Sequence, residues 1–373
     1  MVVLFIGASL LFLVYAGLIL FLHSRWRAVP VYKNDHPPTA DIRFSIIIPA
    51  RNEETRIGLL LDALRKQDLD PSLWEVIVVD DDSTDHTAQV VARYDQVKLI
   101  RLTGKDHNSY KKRALNEGIA QGRYEWILTT DADCVPGPQW LSTLSRFIAD
   151  RNPQMVVAPV RMAHDHSLLQ IFQALDFITL QGITAGAVHG RFMHMCNGAN
   201  LAYKKTAFQT VQGFSGIDHI ASGDDMLLMQ KIQQAFPGSA HYLLAKEAVV
   251  VTQPAYSWTE FIHQRIRWAS KATYYKQASL FLVLLAVYLF NLVIPVLFFL
   301  SFFQQSAFWM ACVLLILKTL IELPFVSSVA RFYQDSNLMG YFPILQPLHI
   351  LYTLIAGWLG QFGRYSWKGR RVK

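Results

Sequence analysis

Four short β-branched runs, each closing on or near a polar cluster, constrain this chain more than any other feature. They are FSIIIP at 44–49, EVIVVD at 75–80, VKLIRL at 97–102 and EWILTTD at 125–131. Helix-compatible stretches follow them near 54–67, 84–94, 111–121 and 138–150. Apolar runs without alternation are buried on both faces, and strand–helix alternation covers a mostly parallel sheet with helices. An α/β domain is therefore expected over 43–254. In such sheets ligands bind outside the carboxyl ends of the strands. Here those ends carry Pro49, Ala50, Arg51, Asn52 and Glu53, then Asp80, Asp81 and Asp82, then Asp131 and Asp133.

Composition points to lipid as a second solvent. Of 373 residues, 52% are hydrophobic and only 17% are charged; a soluble domain is about a quarter charged. Residues 2–22 are apolar and uncharged, long enough to cross a hydrocarbon core of about 30 Å. Arg25 and Arg27 follow beside Trp26. Positive charge downstream predicts an anchor over 1–23, with its N-terminus outside and the next domain cytoplasmic. A cleaved signal peptide would carry that charge ahead of the apolar run. Residues 24–42 read as a linker containing Pro30, Pro37 and Pro38.

Residues 167–188 nearly reach spanning length, but Asp176 and the glutamines favour an interfacial or domain-buried helix. Residues 255–277 mix aromatic and basic side chains, which suits the headgroup layer. Within 278–363 come three apolar stretches, at 279–303, 307–330 and 342–363. Lys318 and Glu322 stand four apart in the second, at a spacing that lets them pair. The basic tail, 364–373, is expected in the cytoplasm. An outside N-terminus then requires one stretch to be re-entrant or interfacial. The third, with Pro343, Pro347, Gly357 and Gly360, is the candidate.

The net charge of +7, without base-reading motifs, fits anionic headgroups and phosphorylated substrates better than nucleic acid. Cys134, Cys196 and Cys312 are odd in number and lack CxxC spacing, so neither a disulfide framework nor a zinc site is expected. Reduced thiols suit a cytoplasmic setting. A Walker A loop, a GxGxxG after a strand, HExxH and GxSxG are all missing from the sequence, which removes support for the chemistries they serve.

Four constellations carry chemistry. Asp131 and Asp133, two apart at a strand end, can reach one divalent cation together with diphosphate oxygens, as Mg²⁺ prefers. Asp80, closing its strand, can accept hydrogen bonds from a nucleobase or ribose, whereas Ser83 to Asp85 read as local helix caps. In SGDDMLLMQKI at 222–232 one of Asp224 and Asp225 is needed as a cap; the other is available as a general base. Gln264, Arg267 and Trp268 lie three and four apart and share a helix face. There the Arg fork suits phosphate and the indole suits a sugar face, although a snorkelling Arg beside an interfacial Trp would look the same.

Together these residues resemble family 2 glycosyltransferases, the inverting enzymes of the GT-A fold. FSIIIPARNEE, VIVVDDDSTDHT, KKRALNEGI, TTDADC, NGANLAYKKTAF and GDD stand in the order of that family's motifs. QRIRW is similar to the QxxRW signature of its membrane-bound branch, which includes cellulose and hyaluronan synthases and ceramide glucosyltransferase-like enzymes. The resemblance implies that Pro49, Ala50, Arg51, Glu53, Asp80, Lys111, Asp131, Gln264 and Arg267 bind a nucleotide-sugar. It implies that Asp131 and Asp133 hold Mg²⁺ or Mn²⁺, that Asp225 is the base, and that Asn200 and Trp268 meet the acceptor. Asp82 stands where the family usually has Gly, Tyr110 replaces the Gly that often precedes the lysine, and Lys112 adjoins Lys111. GDD replaces the commoner Glu-Asp, which keeps Asp224 as a second candidate base.

The implied activity is transfer from a nucleotide-sugar, a UDP-sugar first, to a lipid hydroxyl at the cytoplasmic face of the cell membrane. The alternative is a processive polysaccharide synthase. Such a synthase needs a polymer channel, and only about three apolar stretches follow the catalytic region, which favours a lipid acceptor. A non-catalytic nucleotide-sugar sensor is disfavoured by the complete acidic and QxxRW sets.

Overall fold

The computed structural model describes residues 1–33, 42–104, 109–193, 195–220, 222–270, 278–362, 365–367 and 370–372. Residues 34–41 of the expected linker, the end of the 255–277 segment and part of the basic tail lie outside the described residues.

The chain begins with α1 (Val2–Ala28), β1 (Phe44–Ala50), α2 (Ile57–Arg65), β2 (Trp74–Asp81), α3 (Thr87–Val91) and β3 (Val97–Leu102). Next come α4 (Tyr110–Gln121), β4 (Trp126–Thr129), β5 (Val135–Pro136), α5 (Trp140–Arg151), β6 (Met155–Val157), β7 (Val160–Met162) and α6 (Leu168–Gly190). Then follow β8 (Leu201–Lys204), α7 (Lys205–Thr210), α8 (Met226–Ala235), β9 (Ala240–Tyr242) and β10 (Val250–Thr252). The last long helices are α9 (Trp258–Ala269), α10 (Ala278–Leu300), α11 (Gln305–Tyr333) and α12 (Phe342–Phe362). Two compact units result. One comprises Met1–Ala28, His164–Met193 and Pro254–Tyr365; the other comprises Val29–Ala163, His194–Gln253 and Ser366–Lys373. The expected 43–254 domain is thus interrupted, because α6 packs with the helical unit.

The α/β unit holds a seven-stranded sheet in the order β3-β2-β1-β4-β8-β6-β9. It is mostly parallel, as expected; β8 runs antiparallel to both β4 and β6. A second sheet, β5-β10-β7, is too short in each strand to leave a sequence signal. Ile46, Ile47 and Ile48 of β1 are fully buried, each stabilising the fold by roughly 1.5–3 kcal/mol. Ala50 pairs with Asp80 of β2, and Ile47 pairs with Thr129 of β4. The carboxyl ends of three neighbouring strands therefore open on one edge. Helix α4 packs across β1 and β2 at Gly118, where a Cβ would stand 2.4 Å from Ile47 Cγ2. That close approach sets the height of α4, whose N-terminus meets the same edge.

Among the described residues, five helices, all in the helical unit, are long and apolar enough to cross a membrane by length and composition: α1, α6, α10, α11 and α12. Helix α6 differs from the rest, with 83% of its most apolar window buried against 17–33% in the other four. The stretch expected to re-enter is an unbroken helix, α12, with Pro347 inside it.

The expected Lys318–Glu322 pair is present. Lys318 has no exposed surface, and its Nζ donates to Glu322 Oε1 at 2.7 Å and to Gln346 Oε1 of α12 at 2.6 Å. Tyr15 of α1 also donates to Glu322. Removing one partner would strand a buried charge, so these four side chains tie α1, α11 and α12 together.

Candidate active site

At the sheet edge, the loops after β1 and β2 interlock. Asn52 N donates to Ser83 Oγ at 3.0 Å, and Thr84 N donates to Asn52 Oδ1 at 2.9 Å. Glu53 N donates to Thr87 Oγ1 at 2.7 Å. Asp85 accepts locally from Thr87 N at 3.0 Å, but also from Glu54 N at 3.1 Å across the loops, so Ser83 and Asp85 both join the neighbouring loop, where purely local caps were expected. Asn52 and Asp82 have φ of 52° and 55°. Asn and Asp tolerate this left-handed region better than other side chains, which accounts for Asp82 at a glycine-type position. Asp80 is 5% exposed, and its Oδ1 accepts from Ser83 N at 3.2 Å. Pro49 and Ala50 end β1, opposite Val79 and Asp80.

Two residues expected at the donor have other partners. Arg51 Nη1 donates to the carbonyls of Asp81 and Asp82 at 2.6 and 2.5 Å, so its guanidinium clamps the end of β2. Glu53 is 7% exposed and lies 3.9 Å from Arg56. Both shape the loop from beneath.

The chemistry converges on Lys111, in the first turn of α4. Its Nζ lies 2.7 Å from Asp131 Oδ1 and 3.1 Å from Asp224 Oδ2. Burial alone would lower its pKa; the adjacent Asp131 and Asp224 outweigh that and raise it, so Lys111 is held charged. Asp225 caps α8. Its Oδ1 accepts from Met226 N at 2.7 Å and its Oδ2 from Gly198 N at 3.3 Å. Gly198 lies directly against the cluster: a Cβ there would be 3.2 Å from Asp224 Oδ2 and 3.4 Å from Lys111 Nζ. Residues 111, 131, 198, 224 and 225 thus meet from four separate segments. The side chain of Asp131 is 36% exposed and that of Asp224 is 12% exposed, so a ligand reaches Asp131 most readily.

Lys112 was the competing lysine. It is 2% exposed, and its Nζ donates to the carbonyls of Ile217, Ile220 and Ser222 at 2.8, 2.5 and 2.8 Å. It braces the segment that delivers Asp224 and Asp225. Asn200, expected at the acceptor, is fully buried. Its amide donates to Pro159 O and Ala248 O at 2.8 Å each, and its Oδ1 accepts from Trp140 Nε1 at 3.0 Å. With its hydrogen bonds spent inside the fold, Asn200 is structural. In the same NGAN stretch Gly198 is the residue that touches the cluster, and sequence reading passed it over.

Among the described residues no three His, Cys, Asp or Glu side chains form a metal cage. Asp131 and Asp133 offer oxygen ligands from two side chains. That donor set fits Mg²⁺ or Mn²⁺, which take their remaining ligands from water and substrate phosphates.

Gln264, Arg267 and Trp268 belong to the other unit. All three are partly exposed on α9. Arg265, between them, is 3% exposed and pairs with Asp176 of α6 at 2.7 Å.

Residues 45–211 match the family described as Glycosyl transferase family 2. The chain is 31% identical over 121 residues to the poly(ribitol-phosphate) beta-N-acetylglucosaminyltransferase TarS of Staphylococcus aureus (strain Mu50 / ATCC 700699), covering 32% of this chain and 21% of that protein. It is 34% identical over 137 residues to the Homo sapiens dolichyl-phosphate beta-glucosyltransferase, covering 33% of this chain and 41% of that protein. The chain thus spans well under two thirds of the length of these curated relatives. The solved mannosyltransferase PcManGT of Pyrobaculum calidifontis, in complex with GDP-Man and Mn²⁺, superposes with a TM-score of 0.56 at 20% identity. That match covers 94% of this chain and 97% of the other, and shows a shared GT-A-like fold.

Proposed function

We propose, from the glycosyl transferase family 2 domain at residues 45–211, that this chain is an inverting glycosyltransferase. It moves one sugar from a nucleotide-sugar, a UDP-sugar first, to the hydroxyl of a membrane lipid at the cytoplasmic face of the cell membrane. The observation that carries this reading is the bridge from Lys111 to Asp131 and Asp224 at the carboxyl edge of the sheet. A fixed cation among carboxylates, beside two candidate metal ligands, suits a departing diphosphate. The dolichyl-phosphate glucosyltransferase similarity and the apolar helices support a lipid acceptor.

In this reading Asp80 receives the nucleoside and Lys111 neutralises phosphate charge. Asp131 and Asp133 would hold the divalent cation, which when bound supplies Lewis-acid stabilisation of the leaving diphosphate. Gln264 and Arg267 bind diphosphate oxygens, and Trp268 lines the acceptor path. Asp225 accepts the acceptor's proton as the oxygen attacks the anomeric carbon; such a base is worth about 10²–10⁴-fold. Asp225 also caps α8, which leaves Asp224 as the carboxylate the cap does not use, but Asp224 is held by Lys111 at 3.1 Å, whereas two amide contacts orient the carboxylate of Asp225.

The test incubates purified full-length protein with UDP- and GDP-sugars, Mg²⁺ or Mn²⁺, and extracted membrane lipids. Mass spectrometry is expected to show a lipid heavier by one sugar. A polymer ladder would replace the reading with a processive synthase, and the absence of any transfer would overturn it.

A further inference from the structure

A buried charged network lies behind the QRIRW helix. Asp176 of α6 is 5% exposed and Arg265 of α9 is 3% exposed. Arg265 Nη2 stands 2.7 Å from Asp176 Oδ2. The other carboxylate oxygen accepts from the Tyr352 hydroxyl of α12, with His349 Nε2 at 3.9 Å. In the sequence Asp176 argues against membrane insertion of α6, and Arg265 lies off the helix face shared by Gln264, Arg267 and Trp268.

The geometry gives this pair a further task. The guanidinium carbon of Arg265 lies 4.2 Å from the ring centroid of Trp268 and 4.7 Å from that of Phe261. Phe177, the neighbour of Asp176, approaches the Trp268 ring at 6.3 Å. A guanidinium is flat and stacks on an indole; an ammonium offers a point charge and no plane. Swinging that plane away from Trp268 would break its contact with a buried carboxylate. Charge on α6 therefore fixes a plane on α9, and the plane fixes the indole.

We infer that Asp176 and Arg265 are a positioning pair that sets the orientation of Trp268 and, through it, the binding of the lipid acceptor. The inference rests on the proposed placement of Trp268 in the acceptor path. Neither residue of the pair is assigned contact with substrate.

Two variants separate positioning from simple charge satisfaction. Arg265→Lys keeps the charge beside Asp176 but removes the plane. The double variant Asp176→Leu with Arg265→Met removes both charges with apolar side chains, an exchange that buried ion pairs commonly tolerate. Steady-state kinetics would vary lipid acceptor and nucleotide-sugar separately, and acceptor-independent hydrolysis of the nucleotide-sugar would be followed in parallel. Both variants are expected to raise the acceptor KM roughly tenfold, the size of a desolvated cation–π contact. Donor KM and hydrolysis should change less than twofold. A wild-type acceptor KM in folded Arg265→Lys protein, or equal losses for donor and acceptor, would overturn the positioning role. A wild-type protein that hydrolyses donor but never saturates with any lipid would instead defeat the acceptor assignment on which the inference rests.

Discussion

Lys111 and Lys112 are consecutive on α4, yet their ammonium groups serve different ends. Lys111 Nζ sits between Asp131 and Asp224, and Lys112 Nζ is enclosed by the carbonyls of Ile217, Ile220 and Ser222. One residue of helix turns a side chain by about 100°, enough to send neighbours to chemistry and to scaffold. The scaffold in turn carries the carboxylates, because the braced segment leads into Asp224 and Asp225.

Lys112→Met should therefore lower stability more than its position beside the site suggests. It leaves buried carbonyls without their donor, a loss of about 2–3 kcal/mol. Thermal unfolding should show a lower Tm, and activity should fall with the folded fraction. An unchanged Tm would contradict the bracing role.

Asp225→Asn is expected to keep donor affinity while kcat falls roughly 10²–10⁴-fold. Asp224→Asn should weaken donor binding instead, since it removes a carboxylate that holds Lys111 in place. Calorimetric titration with UDP, run beside turnover, separates the two. Full turnover in Asp225→Asn would move the base to Asp224.

For Asp133→Asn the concentration of Mn²⁺ that gives half-maximal activity should rise, with a smaller change in maximal rate than in Asp131→Asn. Asp131 has two tasks, cation and Lys111, while Asp133 is assigned one. Identical metal titrations in wild type and Asp133→Asn would remove Asp133 from the ligand set.

The opposite end of the sheet supplies a pH test. Burial raises the Glu75 carboxyl, but bonds from Arg123 N and Ser45 Oγ at 2.6 and 2.7 Å, with Arg123 Nε at 2.9 Å, bring it below its ordinary value. A depressed carboxyl stabilises the fold above its unfolded pKa of about 4.3, and the contribution disappears as pH falls through the folded pKa. Wild-type Tm should thus drop more steeply than that of Glu75→Gln between about pH 5 and pH 3. Parallel slopes would count against the linkage.

Much of this architecture was legible because its signals are local. The unalternating isoleucines at 46–48 announced a doubly buried strand, and Lys318 and Glu322 paired at helical spacing. Asp131 and Asp133 fell where a parallel sheet gathers its ligands. What escaped depends on partners distant in sequence. Asn200 reads as a polar residue near the acceptor until Pro159 and Ala248 claim its amide. Arg51 reads as a phosphate ligand until the turn after β2 supplies carbonyls to it. Arg265 needs Asp176, on another helix of the bundle, to explain its burial. A single strand of three or four residues, such as β8, carries too little periodicity to reveal its antiparallel direction.

The most direct measurement is the rate of labelled-sugar transfer from nucleotide-sugar to membrane lipid by wild type and Lys111→Met, at saturating Mn²⁺ and normalised to folded protein. Loss of the Lys111 ammonium, which bridges Asp131 and Asp224, should slow transfer by about 10²-fold or more, as removal of a preorganised electrostatic group does. Equal rates in the two proteins would contradict the account.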